Sequence, residues 1–133
     1  MKTFAKHFKK LWIILCLIPS TAFADFRHFN DWSEKEKAWF AAYQTTAWMD
    51  YKQTEWALTH PCDCFYEQNP IYGKYPHPDK ILLGNVLAAA AVYWDVGRTP
   101  ENKRLKVLQG VTLFRAAVVV HNDSVGISWT KAF

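Results

Sequence analysis

Asp50, Gln53 and Thr54 are three polar residues set where a helix would carry them on one face. They sit in a stripe that also holds Phe40, Tyr43, Ala47 and Leu58 at helical spacing, the side expected to face a core. Polar groups on such a face need partners. Those within the chain's reach are Glu67 and Asn69 in a Pro-rich segment, Asn85 in a second apolar stretch, and Arg115 and His121 in a third. The favoured expectation is a buried hydrogen-bond network that fixes how the Pro-rich segment docks. The alternative is a polar pocket for a small ligand or lipid head group, or a hydrolytic site in which Asp50 or Glu67 acts as base, with His121 the third acid–base candidate.

His60, Cys62 and Cys64 form a second group, with Asp63 and His77 nearby. Thiolate and imidazole suit zinc or cuprous copper, but Cys-x-Cys lacks the wider spacing and second ligand pair of zinc motifs, so no metal is expected. A disulfide between residues this close would be strained. A strained local bridge, an intermolecular bridge and free thiols all fit the spacing. Other chemistries lack their motifs. There is no Gly-x-Ser-x-Gly elbow and no Gly-rich phosphate loop, and glycine numbers only 5. No cofactor is expected, and the chain is read as non-enzymatic.

The compartment is written at the N-terminus. Lys2, Lys6, Lys9 and Lys10 precede the apolar run Leu11 to Ile18; Pro19 and Ser20 break it, and Ala22-Phe23-Ala24 closes it. This is the layout of a cleavable export signal over residues 1–24. The apolar run is too short for a span, which takes about 20 residues. The expected product is a single helical domain, 25–133, delivered through the inner membrane to the periplasm or its membrane surfaces. The chain has 16 basic and 12 acidic residues, net +4. The four signal lysines account for the whole excess, so the exported part is neutral and nucleic acid is not an expected partner. The same export carries Cys62 and Cys64 into an oxidising space.

The fold expected is all-α: a three-helix bundle with a Pro-rich ordered loop and a short extended C-terminal tail. Ser33 and Glu36 make a capping box that opens a helix over about 34–59. Asp50, Lys52, Gln53 and Glu55 make that helix a poor lipid-exposed span. Residues 60–78 hold four prolines and a glycine and read as a loop whose aromatics pack onto the helices. Pro78 starts a second helix, about 79–96, which Gly97 ends; Thr99 caps a third, about 100–121. The tail from Ser124 alternates apolar residues to Phe133 and reads as a short strand or ordered extension. Apolar centres of the second and third helices suit a core helix or a short span. Arg115 within the third needs a partner in either setting. The aromatic content, 17% with 7 Trp, tips the expectation towards membrane association.

Asp50-x-x-Gln53-Thr54, then Phe65-Tyr66-Glu67-x-Asn69-Pro70-Ile71-x-Gly73, then His121-Asn122-x-Ser124-x-Gly126, resemble a group of short uncharacterised exported proteins of bacteriophages, prophages and Gram-negative bacteria. The resemblance covers most of the chain after the signal. It implies a setting, interaction in the bacterial envelope with an envelope protein or membrane lipid as partner, and no mechanism. It also joins Asp50, Gln53, Glu67 and Asn69 into one unit, since Asn-Pro favours a rigid turn that could hold Glu67 and Asn69 against the Asp50 face. The Cys62-Asp63-Cys64 segment is a local departure from the pattern.

Overall fold

The computed structural model describes residues 26–59, 71–73 and 76–127. After a 3-10 turn at Phe29–Asp31 come three helices, α1 (Glu34–Thr59), α2 (Pro78–Arg98) and α3 (Glu101–Ser124), with no strand among the described residues. They form the expected all-α three-helix bundle. The chain runs up α1, down α2 and up α3, so α1 and α3 are parallel and form the main packing pair.

Each helix begins where local chemistry starts it. The Ser33 amide and hydroxyl donate to Glu36 Oε2 at 2.7 and 2.8 Å, and the Glu36 amide donates to Ser33 Oγ at 3.3 Å, which completes the capping box. No Gly or Pro interrupts α1 over its 26 residues. In α2, Pro78 occupies the first turn, and the His77 ring accepts from the Asp79 amide.

Two expected boundaries differ. Gly97 does not end α2, which runs to Arg98 with Thr99 as its C-cap. Gly97 keeps a negative φ and serves a contact instead: a Cβ there would meet the Phe26 ring at 2.5 Å. What stops the helix is Pro100, which holds Thr99 extended. Thr99 therefore closes α2, its hydroxyl donating to the Asp95 carbonyl at 2.7 Å, and does not cap α3; the N-cap of α3 is Pro100, without a side-chain bond. α3 runs three residues past the expected end. Gly126 takes φ 93, its amide donating to the Asp123 carbonyl and that of Ile127 to the Asn122 carbonyl. This is a Schellman ending, which glycine permits at little cost. The tail expected from Ser124 thus starts as helix and turn, and residues 128–133 lie outside the described set.

The residues before α1 show no period in sequence yet pack tightly. The Arg27 amide donates to the Gly97 carbonyl at 2.9 Å and the Phe29 amide to the Tyr93 hydroxyl at 3.3 Å. Trp32, Phe29, Phe40 and Tyr93 meet through ring contacts, and Trp32 joins fully buried Val96 and Leu108 in an apolar core cluster. This cluster lies at one end of the bundle, and buried Tyr43, Ala47, Tyr51, Ile81 and Val119 continue along it.

Arg104 locks that end. It donates to the carbonyls of Val96 and Thr99, at 3.2 and 3.1 Å, and to Glu36 Oε1 at 3.3 Å. The Arg104 and Glu36 side chains are only 4% and 5% exposed. Burial pushes the Glu36 carboxyl up, but the Ser33 hydrogen bonds and Arg104 outweigh it and hold it below its ordinary 4.5. Because the folded value is the lower one, this stabilisation is full above about pH 4.5 and is lost as pH falls through the folded value. Glu36→Gln is expected to lower stability by about 3 kcal/mol at neutral pH, since one partner of a buried pair loses its charge. It should also flatten the acid limb of stability, read as thermal unfolding by circular dichroism across pH 3 to 7.

Candidate functional site

A second polar cluster lies half-way along the bundle. Its centre is Asp50 on α1, whose stripe turns inward between buried Ala47 and Tyr51. Arg115 Nη1 donates to Asp50 Oδ2 at 3.0 Å, and Asn122 Nδ2 to Asp50 Oδ1 at 3.0 Å. The other Arg115 terminal nitrogen donates to Asn85 Oδ1, which brings α2 into the cluster, while Asn85 Nδ2 donates to its own helix at the Ile81 carbonyl. The two charged side chains are 16% and 14% exposed. Arg115 Nε is buried without a partner.

Gln53 continues the network one turn further. It is fully buried. Its Nε2 donates to the carbonyls of Val119, at 3.2 Å, and Ile127, at 2.9 Å, and its Oε1 accepts from Asn122 Nδ2 at 3.3 Å. Every polar atom of the amide is thus satisfied, as burial demands. The Schellman ending of α3 is what brings the Ile127 carbonyl over Gln53, so a glycine in the last turn and an amide in α1 act together.

The sequence pointed to Asp50, Gln53, Asn85 and Arg115, and all four meet here. Asn122, quoted only within the motif that carries the resemblance, is the member not expected in the network. Its signal was present: it falls one turn and three residues after Arg115, on the side of α3 that must face α1. Thr54 is partly buried beside Gln53 but outside the network. His121 is exposed, and the partners that Asp50 accepts from are Arg115 and Asn122. Glu67, Asn69, His60, Cys62 and Cys64 lie outside the described residues, as does the docking of the Pro-rich loop. Among the described residues no three His, Cys, Asp or Glu side chains gather as a metal would require.

Both Asp50 oxygens accept from neighbours, so the carboxylate is arranged to hold three helices together. An open groove of about 360 Å3 runs between α1 and α2 and includes Asn85 in its lining. Ala47, Trp48, Leu82 and Val86 make most of it apolar, so it offers room for an aliphatic chain beside the amides of Gln44 and Asn85. No family model, curated protein or solved structure matches the chain.

Arg115→Leu is expected to destabilise the fold by about 3 to 5 kcal/mol, because Asp50 is left buried and unpaired. Asp50→Leu together with Arg115→Leu should recover most of that loss. The check is a double-mutant cycle in denaturant, and additive losses would mean that the pair is not coupled.

Proposed function

We propose that this is an exported, membrane-associated helical protein that acts through interaction in the bacterial envelope and not as an enzyme. The observation that carries the membrane part is α2. It is long and apolar enough to cross a bilayer by length and composition, yet only 17% of its apolar window is buried in the bundle. A core helix of a water-soluble bundle would be mostly covered. Leu83 and Leu87 are 58% and 60% exposed, and Trp94 stands open near the C-terminal end, where Arg98 packs over its ring. An apolar ridge of this size in contact with water is unfavourable by roughly 25 cal/mol per Å2 and marks a surface meant to be covered.

Export rests on the charged, apolar and small-residue layout of residues 1–24, and the envelope setting on the motif resemblance to exported phage and prophage proteins. A role in supporting lysis or excluding other phages fits that setting. The Asp50 network supports a scaffolding role for the polar residues: it fixes helix rotation and leaves the apolar faces outward.

The second reading is a lipid or small-ligand site, or a membrane-proximal hydrolase, using Asp50 with Glu67. The groove lined by Asn85, which Arg115 joins to Asp50, favours its binding form. Asp50→Asn separates the two. Under the scaffold reading the variant loses function and thermal stability together; loss of function at unchanged stability would favour a site.

The membrane reading is checked by fractionating cells that express the tagged full chain and washing membranes in alkaline carbonate. The protein is expected to stay in the pellet. Release into the supernatant would remove the membrane-embedded reading.

A further inference from the structure

The three helices share a feature that α2 alone does not explain. In α1 the residues from 38 to 51 carry no charge but Asp50; in α2 those from 81 to 94 carry none; in α3 those from 107 to 120 carry none but Arg115. Each stretch is fourteen residues long, about 21 Å of helix. The two charges they contain are paired with each other inside the bundle.

The stretches are also level. Polar contacts between α1 and α3 join residues 65 to 74 positions apart, as in Asp50–Arg115, Glu36–Arg104 and Gln53–Ile127, so 38–51 lies beside 107–120. Between antiparallel α1 and α2, Phe40 meets Tyr93, and Trp48 and Tyr51 line the groove opposite Val86 and Leu82. That register sets 81–94 at the same height. Charged residues crowd both rims. Lys35, Lys37, Asp95, Arg98, Lys103 and Lys106 lie at one, and Lys52, Glu55, Asp79, Lys80 and Asp123 at the other.

Within the band the charges are hidden and many apolar residues are open. Asp50 and Arg115 turn inward, beside buried Tyr43, Ala47, Ile81, Thr112 and Val119, while Leu83, Leu87, Leu113 and Val120 face out, the last two at 61% and 68% exposure. Thr112 donates to the Trp39 carbonyl across the α1–α3 contact. Hydrogen bonds between helices, ion pairs turned inward and apolar residues turned out are what hydrocarbon selects, since lipid offers apolar chains everywhere and polar partners nowhere.

We infer that the whole bundle, and not α2 alone, is seated in the bilayer, with lipid acyl chains as the occupant of a charge-free belt that includes the outward faces of α1, α2 and α3. This rests on the membrane reading above and goes further, because α1 was expected to be a poor span. That expectation came from Asp50, Lys52, Gln53 and Glu55. The fold turns Asp50 and Gln53 inward, and Lys52 pairs with Glu55 at the rim. The belt is shorter than a hydrocarbon core of about 30 Å, so lysine stems at both rims reach outwards and the bilayer thins locally.

The test uses the full chain with Cys16, Cys62 and Cys64 changed to Ser, reconstituted into phosphatidylethanolamine–phosphatidylglycerol vesicles. Single cysteines replace outward residues in the belt, Ala41 and Thr45 on α1, Leu87 on α2, Leu113 and Ala117 on α3, with Lys35 and Asp123 as rim controls. N-ethylmaleimide crosses bilayers but needs a water-exposed thiolate. Labelling at all five belt positions is expected to be at least about ten-fold slower than at the rims, and to reach rim rates in dodecyl sulfate. Slow labelling at Leu87 with fast labelling on α1 and α3 would overturn the belt while leaving a membrane-seated α2. Fast labelling everywhere, with release by carbonate, would overturn both readings. Slow labelling at Leu87 only, persisting in mild detergent alongside a cross-linkable dimer, would assign that face to a second copy and overturn the belt.

Discussion

The Asp50–Arg115 ion pair is the constraint on which the middle of this bundle depends. These are the two charges found between the charged ends of the helices, and they neutralise each other across the α1–α3 contact. A pair like this is rarely a large source of net stability, because both ions lose hydration. Its value is rotational. With Arg115 tied to Asp50 and Asn85, and Asn122 tied to Asp50 and Gln53, each helix has one angular setting about its axis. The apolar residues opposite are then forced outward.

Rotation alone would not fix the ends. At the other end of the bundle Arg104 ties Glu36 to the α2–α3 connection, and the aromatic residues before α1 cover Val96 and Leu108. The two clusters are built differently. The Arg104 end couples a buried pair to a conventional apolar core. The Asp50 cluster couples a buried pair to the polar amides of Asn85, Asn122 and Gln53, with buried Ala47, Tyr51 and Val119 around it. The two regions differ in how far their apolar side chains are covered: Val96 and Leu108 are fully buried, while Leu83, Leu87, Leu113 and Val120 are more than half exposed.

Much of the fold was legible in the residues. The capping box at Ser33, Pro78 at the start of α2 and the absence of breakers in α1 act locally, over one turn, and so can be read locally. Gly97 and Thr99 misled for an instructive reason. Glycine after a helical run signals a stop only if it adopts positive φ, and here its role is to let the Phe26 ring approach, a contact made from seventy residues away. The polar network was partly legible. Polar residues on an apolar stripe announce that partners exist, and Asn85 and Arg115 were the visible ones, but choosing Asn122 over His121 depends on the rotation of α3, which no local rule supplies.

The sequence alone determined that the chain makes three helices, where they begin, that its excess positive charge lies in the first two dozen residues, and that Asp50 and Arg115 must each find a partner. Helix starts and charge placement depend on neighbouring residues, and the need for partners follows from burial itself. Only the tertiary structure decided that the partner of each was the other, that α1 and α3 lie parallel at one register, and that three stretches uncharged but for that pair stand at one height. Those facts depend on relative helix rotation and translation, which arise from contacts between residues some seventy positions apart and exist only once the bundle has closed.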